Sequence, residues 1–92
     1  MREKYIEQRL LKEVCRRGGV CEKWNSGTSG WPDRIVILPD GKLGFVEVKA
    51  PGRHPRKLQE HRHEQLQLLG QKVYVLDDPG EIGGILDDIQ SA

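Results

Sequence analysis

Two apolar segments separated by a tight turn constrain the fold of this 92-residue chain more than any other feature. The first, Ile-Val-Ile-Leu at residues 35–38, is a continuous apolar run typical of a strand that is buried on both faces. Pro-Asp-Gly-Lys at residues 39–42 follows, and Asp-Gly between two apolar segments is a strong hairpin signal. Residues 43–49 are therefore predicted to return as an antiparallel strand beside residues 34–38.

Amphipathic segments on either side of this hairpin predict helices. Ile6, Leu10 and Val14 recur at helical spacing, and Gly18-Gly19 ends that pattern. The predicted elements, in chain order, are a helix over residues 3–17, strands over 20–24, 34–38 and 43–49, a helix over 56–69, a strand over 72–76 and a helix over 79–89.

This order, α-β-β-β-α-β-α, places the chain in the α/β class. A hairpin followed by a helical crossover to another strand predicts a mixed β-sheet flanked by helices. The length favours a single domain over residues 1–92. No apolar run approaches the roughly 20 residues that span a membrane, and no signal peptide is visible. A cytoplasmic location is expected, with Cys15 and Cys21 as free thiols.

The charges are divided unevenly along the chain. Residues 1–63 contain 14 Lys and Arg against 8 Asp and Glu, whereas residues 64–92 contain 1 Lys against 6 acidic residues. A basic N-terminal part and an acidic C-terminal part fit a protein that binds a polyanion on one side. Such segregation of charge also arises in short chains without functional meaning.

The second strand of the hairpin carries two charges where apolar residues are expected. Strand alternation places Glu47 and Lys49 on one face, and Asp33 stands at the start of the partner strand. Buried charges are costly unless they are paired or bind a metal. Carboxylates suit Mg²⁺, the carbonyl of Val48 is a further candidate ligand, and a lysine beside the metal can act on the attacking water. The alternative is an ordinary salt-bridged strand pair.

The surrounding sequence resembles the VRR-NUC branch of the PD-(D/E)XK nuclease superfamily, in particular its short stand-alone phage and bacterial members. The resemblance covers nearly the whole chain. Its motifs are Gly-Trp-Pro-Asp-Arg-Ile-Val at residues 30–36, Leu-Pro-Asp-Gly at 38–41, Phe-Val-Glu-Val-Lys-Ala-Pro-Gly at 45–52, Leu-Gln at 58–59, and Leu-Gly at 69–70.

This resemblance implies a restriction-endonuclease-like core and a metal-dependent endonuclease that uses Mg²⁺ or Mn²⁺. Asp33 and Glu47 would be the metal ligands, Lys49 the catalytic lysine and Gln59 the helix glutamine of the active site. Related nucleases also place a glutamate of the first helix against the metal. Glu7, directly or through a water, is the candidate here, with Glu3 in reserve, since both fall on the core-facing side of that helix.

Stand-alone relatives act as homodimers on branched DNA such as four-way (Holliday) junctions, as processed in DNA repair. The resemblance implies the same here, in a bacterial cell or a phage-infected host. A homodimer would also supplement the thin core of a small domain. The candidate interface residues are Tyr5, Leu11, Trp24 and Ile85. The candidate DNA-binding residues are Lys23, Arg34, Arg53, Arg56, Lys57 and Arg62.

Other side chains near the predicted site have less specific interpretations. His61 and His63 face different sides of a helix, so a shared zinc site is not expected, and both are predicted to be solvated. Trp31 is either a wedge against DNA or a core or interface residue. The alternative functions are a catalytically silent DNA-binding or assembly module with the same fold, and a partner protein that binds through its acidic C-terminal helix.

Overall fold

A computed structural model describes residues 1–91, which form three α-helices and four strands. The predicted α-β-β-β-α-β-α order is confirmed, and the bounds differ by at most three residues. The elements are α1 (Glu3–Arg16), β1 (Val20–Lys23), β2 (Arg34–Leu38), β3 (Lys42–Val48), α2 (Lys57–Leu68), β4 (Val73–Leu76) and α3 (Ile82–Gln90). Single 3₁₀ turns at Pro39–Gly41 and Pro79–Glu81 precede β3 and α3.

The sheet is mixed, as predicted, with the strand order β1-β2-β3-β4. β1, β2 and β3 pair antiparallel, and α2 carries the chain across to β4, which pairs parallel with β3. In the hairpin, Arg34 lies opposite Val46. Continuing that register by one residue places Asp33 across from Glu47. The hairpin therefore brings two carboxylates to the same end of the sheet.

The larger part of the core lies between one face of the sheet and the helices α1 and α3. Val46 and Val48 point into it from β3, because alternate residues of a strand share a face. Gly44 allows α3 to approach this strand, since a Cβ atom at position 44 would lie 2.6 Å from Cδ1 of Ile89. The buried residues of this cluster also include Ile6, Leu10, Val14, Val36, Leu38, Leu76, Ile82 and Leu86.

The opposite face of the sheet is covered by α2 only in part. Phe45, Leu66 and Val73 form a small buried cluster there. The prediction that residues 35–38 are buried on both faces is wrong at Ile37, which is 42% exposed. The apolar contacts of α2 centre on β3 and β4, so the end of β2 at Ile37 stays uncovered.

Two of the predicted interface residues pack in the larger core or against it. Ile85 is buried in the core between α1, α3 and the sheet, and Leu11 packs against that core. Cys15 and Cys21 are both free, and burial raises the pKa of Cys21 to about 11. Within residues 1–91, every helix is too short or too polar to cross a membrane.

Candidate active site

The two carboxylates at the end of the hairpin are fixed by the strands that carry them. Asp33 directly precedes β2, and its Oδ1 accepts a hydrogen bond of 3.2 Å from the backbone amide of Val48. Glu47 lies in β3 and is only 4% exposed. It shares the face of Phe45, on which α2 packs, rather than the face of the larger core.

Lys49 and Gln59 both approach the carboxylate of Glu47. The Nζ atom of Lys49 lies 3.4 Å from Oε2 of Glu47, and Nε2 of Gln59 donates to the same oxygen at 3.2 Å. Oε1 of Gln59 accepts from the backbone amide of Arg56 at 2.8 Å, which caps the first turn of α2. The structure therefore brings Asp33, Glu47, Lys49 and Gln59 together, and Gln59 ties the start of α2 to the carboxylate.

Burial sets the electrostatics of this group. Burial, together with the charges of Glu7 and Glu3, raises the pKa of Asp33 although the Val48 amide opposes that shift. Burial and then the charge of Asp33 raise the pKa of Glu47, and Lys49 opposes that shift. Two carboxylates that are costly to ionise side by side form a site that a cation would stabilise.

The side chains present fit a small hard cation such as Mg²⁺. Oε1 of Glu47 is buried and has no hydrogen-bond partner among the described residues, so one carboxylate lone-pair site is left for a ligand. Across residues 1–91, no three His, Cys, Asp or Glu side chains are grouped so that they could hold a metal ion together. Mg²⁺ does not require such a group, because it is usually bound by one or two carboxylates and several waters.

The loop that presents Asp33 packs against α2. Gly30 has a φ of +89°, and a Cβ atom there would lie 2.9 Å from Cγ of Leu58 and from Cγ of Arg62. Nε of Arg62 also donates to the carbonyl of Ser29 at 3.3 Å. Glycine is required at this position by both the positive φ and the close approach. The helix that provides Gln59 therefore also positions the loop that leads to Asp33.

Two known proteins are similar to this chain. The chain is 49% identical over 78 residues to a protein named "Putative nuclease p44" from Acyrthosiphon pisum secondary endosymbiont phage 1, and the match covers 84% of each sequence. A solved structure of a VRR-NUC domain matches with a TM-score of 0.85 and 30% sequence identity, covering 92% of this chain and 94% of that one. The chain belongs to the VRR-NUC family of nucleases. No family model matches its sequence.

In this VRR-NUC chain, the glutamate of the first helix is engaged by an arginine. Oε1 of Glu7 accepts from Nη2 of Arg34 at 2.6 Å and from Nε at 3.1 Å. Arg34 is 8% exposed, which does not favour its predicted contact with DNA. The charge of Glu7 still reaches Asp33. Glu7 therefore lies near Asp33, and its role as a metal ligand stays a prediction.

The remaining predicted DNA-binding residues lie at the surface of the VRR-NUC fold. Lys23, Arg53, Arg56 and Lys57 are exposed. Arg62 is half-buried, where it contacts the loop before Asp33. Four of the six predicted cations are thus free to meet a phosphate backbone.

The burial of Trp31 and of His63 bears on the predictions made for these two residues. Trp31 is half-buried and packs edge-to-face on Phe45 with the ring centroids 6.1 Å apart, which favours a core residue over a DNA wedge. The prediction that His63 is solvated is wrong, because it is 7% exposed. His63 follows Gln59 by four residues, a spacing that places both on one helix face and that would have revealed it.

Proposed function

We propose that this VRR-NUC chain is a Mg²⁺- or Mn²⁺-dependent endonuclease that hydrolyses DNA phosphodiester bonds, with residues 1–92 acting as one nuclease domain. The observation that carries the proposal is the buried Oε1 of Glu47, which has no protein partner in the described part of the chain. It belongs to a group in which Asp33, Lys49 and Gln59 are already gathered.

We assign each member of the group a role that its contacts support. Asp33 and Glu47, with the carbonyl of Val48, would hold the ion. When bound, the ion polarises the phosphate and lowers the pKa of a bound water. Lys49 orients or deprotonates the attacking water and offsets negative charge on the phosphate. Gln59 holds Oε2 of Glu47, which leaves Oε1 available as a ligand atom.

We propose branched DNA, such as a four-way junction, as the preferred substrate, and a homodimer as the active form. The exposed cations Lys23, Arg53, Arg56 and Lys57 supply contacts to phosphates that do not depend on base sequence. Tyr5 and Trp24 are 44% and 40% exposed, which supports their assignment to the dimer interface. A molar mass of one chain by light scattering at the working concentration would contradict the dimer.

The experiment is nicking of a labelled synthetic four-way junction, compared with a linear duplex of the same sequence. Each reaction is run with Mg²⁺, Mn²⁺ or EDTA, for the wild type, Lys49→Ala and the control Lys12→Ala. Lys12 is exposed on α1 and lies outside the proposed site. We expect metal-dependent cutting of the junction, a loss of about 100-fold or more in Lys49→Ala, and no loss in Lys12→Ala.

The other outcomes separate the parts of the proposal. Equal cutting of junction and duplex would retain the nuclease and reject the preference for branched DNA. Cutting that persists in EDTA would reject the metal dependence. Binding of the junction without cutting under any condition would favour a catalytically silent DNA-binding module.

A further inference from the structure

Among the described residues, only two buried side-chain polar atoms lack a hydrogen-bond partner: Oε1 of Glu47 and Nε2 of His63. Such atoms are uncommon in folded proteins because burial without a partner destabilises the fold. The proposed ion accounts for Oε1 of Glu47. Nothing described so far accounts for Nε2 of His63.

The position of His63 relates it to Lys49. His63 follows Gln59 by one helical turn, so both side chains project from the same face of α2. Gln59 and Lys49 contact the same oxygen of Glu47, at 3.2 Å and 3.4 Å. The side chain of Lys49 is itself only 19% exposed. Its ammonium group has three hydrogens, of which the contact with Glu47 occupies one, so the other two are open to a further acceptor.

The protonation state of His63 suits an acceptor. Burial and then the charge of Lys49 lower the pKa of His63, while Glu60 opposes that shift. The imidazole is therefore neutral at neutral pH, with one ring nitrogen able to accept a hydrogen bond.

In the structure, Nζ of Lys49 contacts Glu47 and Nε2 of His63 has no partner. We propose that His63 is a positioning residue: the flexible side chain of Lys49 turns so that its ammonium group donates to Nε2 of His63, which holds that group at the scissile phosphate. The proposal rests on the proposed nuclease function, because it assigns Lys49 its orientation there. It requires the neutral tautomer in which Nδ1 carries the proton.

If His63 had only a packing role, its replacement would have different effects on activity and stability. A packing residue at this position would be served as well by leucine, which is similar in size and brings no unpaired polar atom. His63→Leu should then retain activity and become more stable. Under the proposal it becomes more stable or stays equal but loses activity, because the acceptor is lost while the packing is kept.

The experiment compares the wild type with His63→Leu, His63→Gln and the control His61→Leu, which lies exposed on the same helix. Glutamine reaches about as far as Nε2 of histidine and offers an acceptor oxygen. We expect His63→Leu to lower kcat on DNA by roughly 10-fold or more, with an unchanged Tm or a higher one. DNA binding should not change, His63→Gln should retain most of the activity, and His61→Leu should behave as the wild type.

Two NMR measurements test the contact without relying on cleavage. The ring-nitrogen spectrum of the wild type should show His63 protonated at Nδ1, and a proton on Nε2 would overturn the proposal even if no variant folded. The Nζ signal of Lys49, assigned through its loss in Lys49→Arg, should move in His63→Leu and not in His61→Leu. An unmoved signal with unchanged kcat would also refute the proposal. If the wild type cuts no DNA, the nuclease function fails while the NMR result still decides the contact.

Discussion

Replacement of Glu47 by glutamine should stabilise the metal-free protein. The carboxylate is buried, and burial and then the charge of Asp33 raise its pKa. One of its oxygens also has no hydrogen-bond partner among the described residues. Glutamine keeps the shape and removes the charge, at the cost of the 3.4 Å contact with Lys49. A buried carboxylate with one unbonded oxygen costs more than a buried neutral amide with one unbonded group, whose penalty is about 1–3 kcal/mol, so a net gain of about 1–2 kcal/mol is expected.

Binding of the metal ion should make the wild type more stable than Glu47→Gln. A ligand at 100 times its Kd stabilises the native state by about 2.7 kcal/mol, and only the wild type retains the carboxylate that would bind it. For a domain of this size, 1 kcal/mol corresponds to a shift in Tm of roughly 4–8 °C. Glu47→Gln should therefore unfold at a higher temperature than the wild type in EDTA and at a lower one in saturating Mg²⁺.

The pH dependence in EDTA follows from the same charge. The pKa of Glu47 in the folded state lies above its ordinary value of 4.5, so folding takes up a proton in the interval between the two values. The stability contributed by this group is therefore gained as the pH falls through its folded pKa and lost as the pH rises. Glu47→Gln should lack that dependence.

Chemical denaturation at several pH values, with EDTA or Mg²⁺, measures both effects. Glu22→Gln is the matched control, because Glu22 is exposed on β1 and its substitution should change stability by less than about 0.5 kcal/mol. A lower stability of Glu47→Gln than of the wild type in EDTA would refute the reasoning. It would mean that the contacts with Lys49 and Gln59 outweigh the burial of the charge.

Two further substitutions test the packing around the site by denaturation. Arg34→Met should destabilise the fold by about 3 kcal/mol by leaving Glu7 unpaired, and adding Glu7→Gln should restore part of that loss; an additive double variant would show that the pair is not coupled. Gly44→Ala should lower the free energy of unfolding by about 1–3 kcal/mol through its clash with Ile89, and by less when Ile89 is shortened to valine. An unchanged midpoint of denaturation in Gly44→Ala would show that α3 moves freely away from the sheet.

Local patterns in the sequence were sufficient to predict the grouping of Asp33, Glu47 and Lys49. Strand alternation places Glu47 and Lys49 on one face, and the turn at residues 39–41 fixes the register that brings Asp33 to them. These relations involve only neighbouring strands, so no knowledge of distant packing is required. Their catalytic roles are predictions that rest on the family and on the chemistry of the group.

Other features depend on which elements cover each face, and strand or helix patterns do not contain that information. Ile37 reads as buried in a run of four apolar residues, yet no helix reaches it. The sequence pattern allows Ile85 to be an interface residue, but α3 packs against the sheet and buries Ile85 in the core. The burial of Arg34 depends on Glu7, which is 27 residues away and meets it only when α1 packs on the sheet.

The two faces of the sheet have different compositions, and α2 packs on the less apolar one. The core beneath α1 and α3 is almost entirely apolar, whereas α2 buries Gln59 and His63 together with a single leucine, Leu66. Its other leucines, among them Leu68, are exposed. A helix with so few apolar contacts depends on polar ones for its placement. The bond that Gln59 donates to Glu47 is one of them, so a contact that docks α2 also assembles the candidate active site.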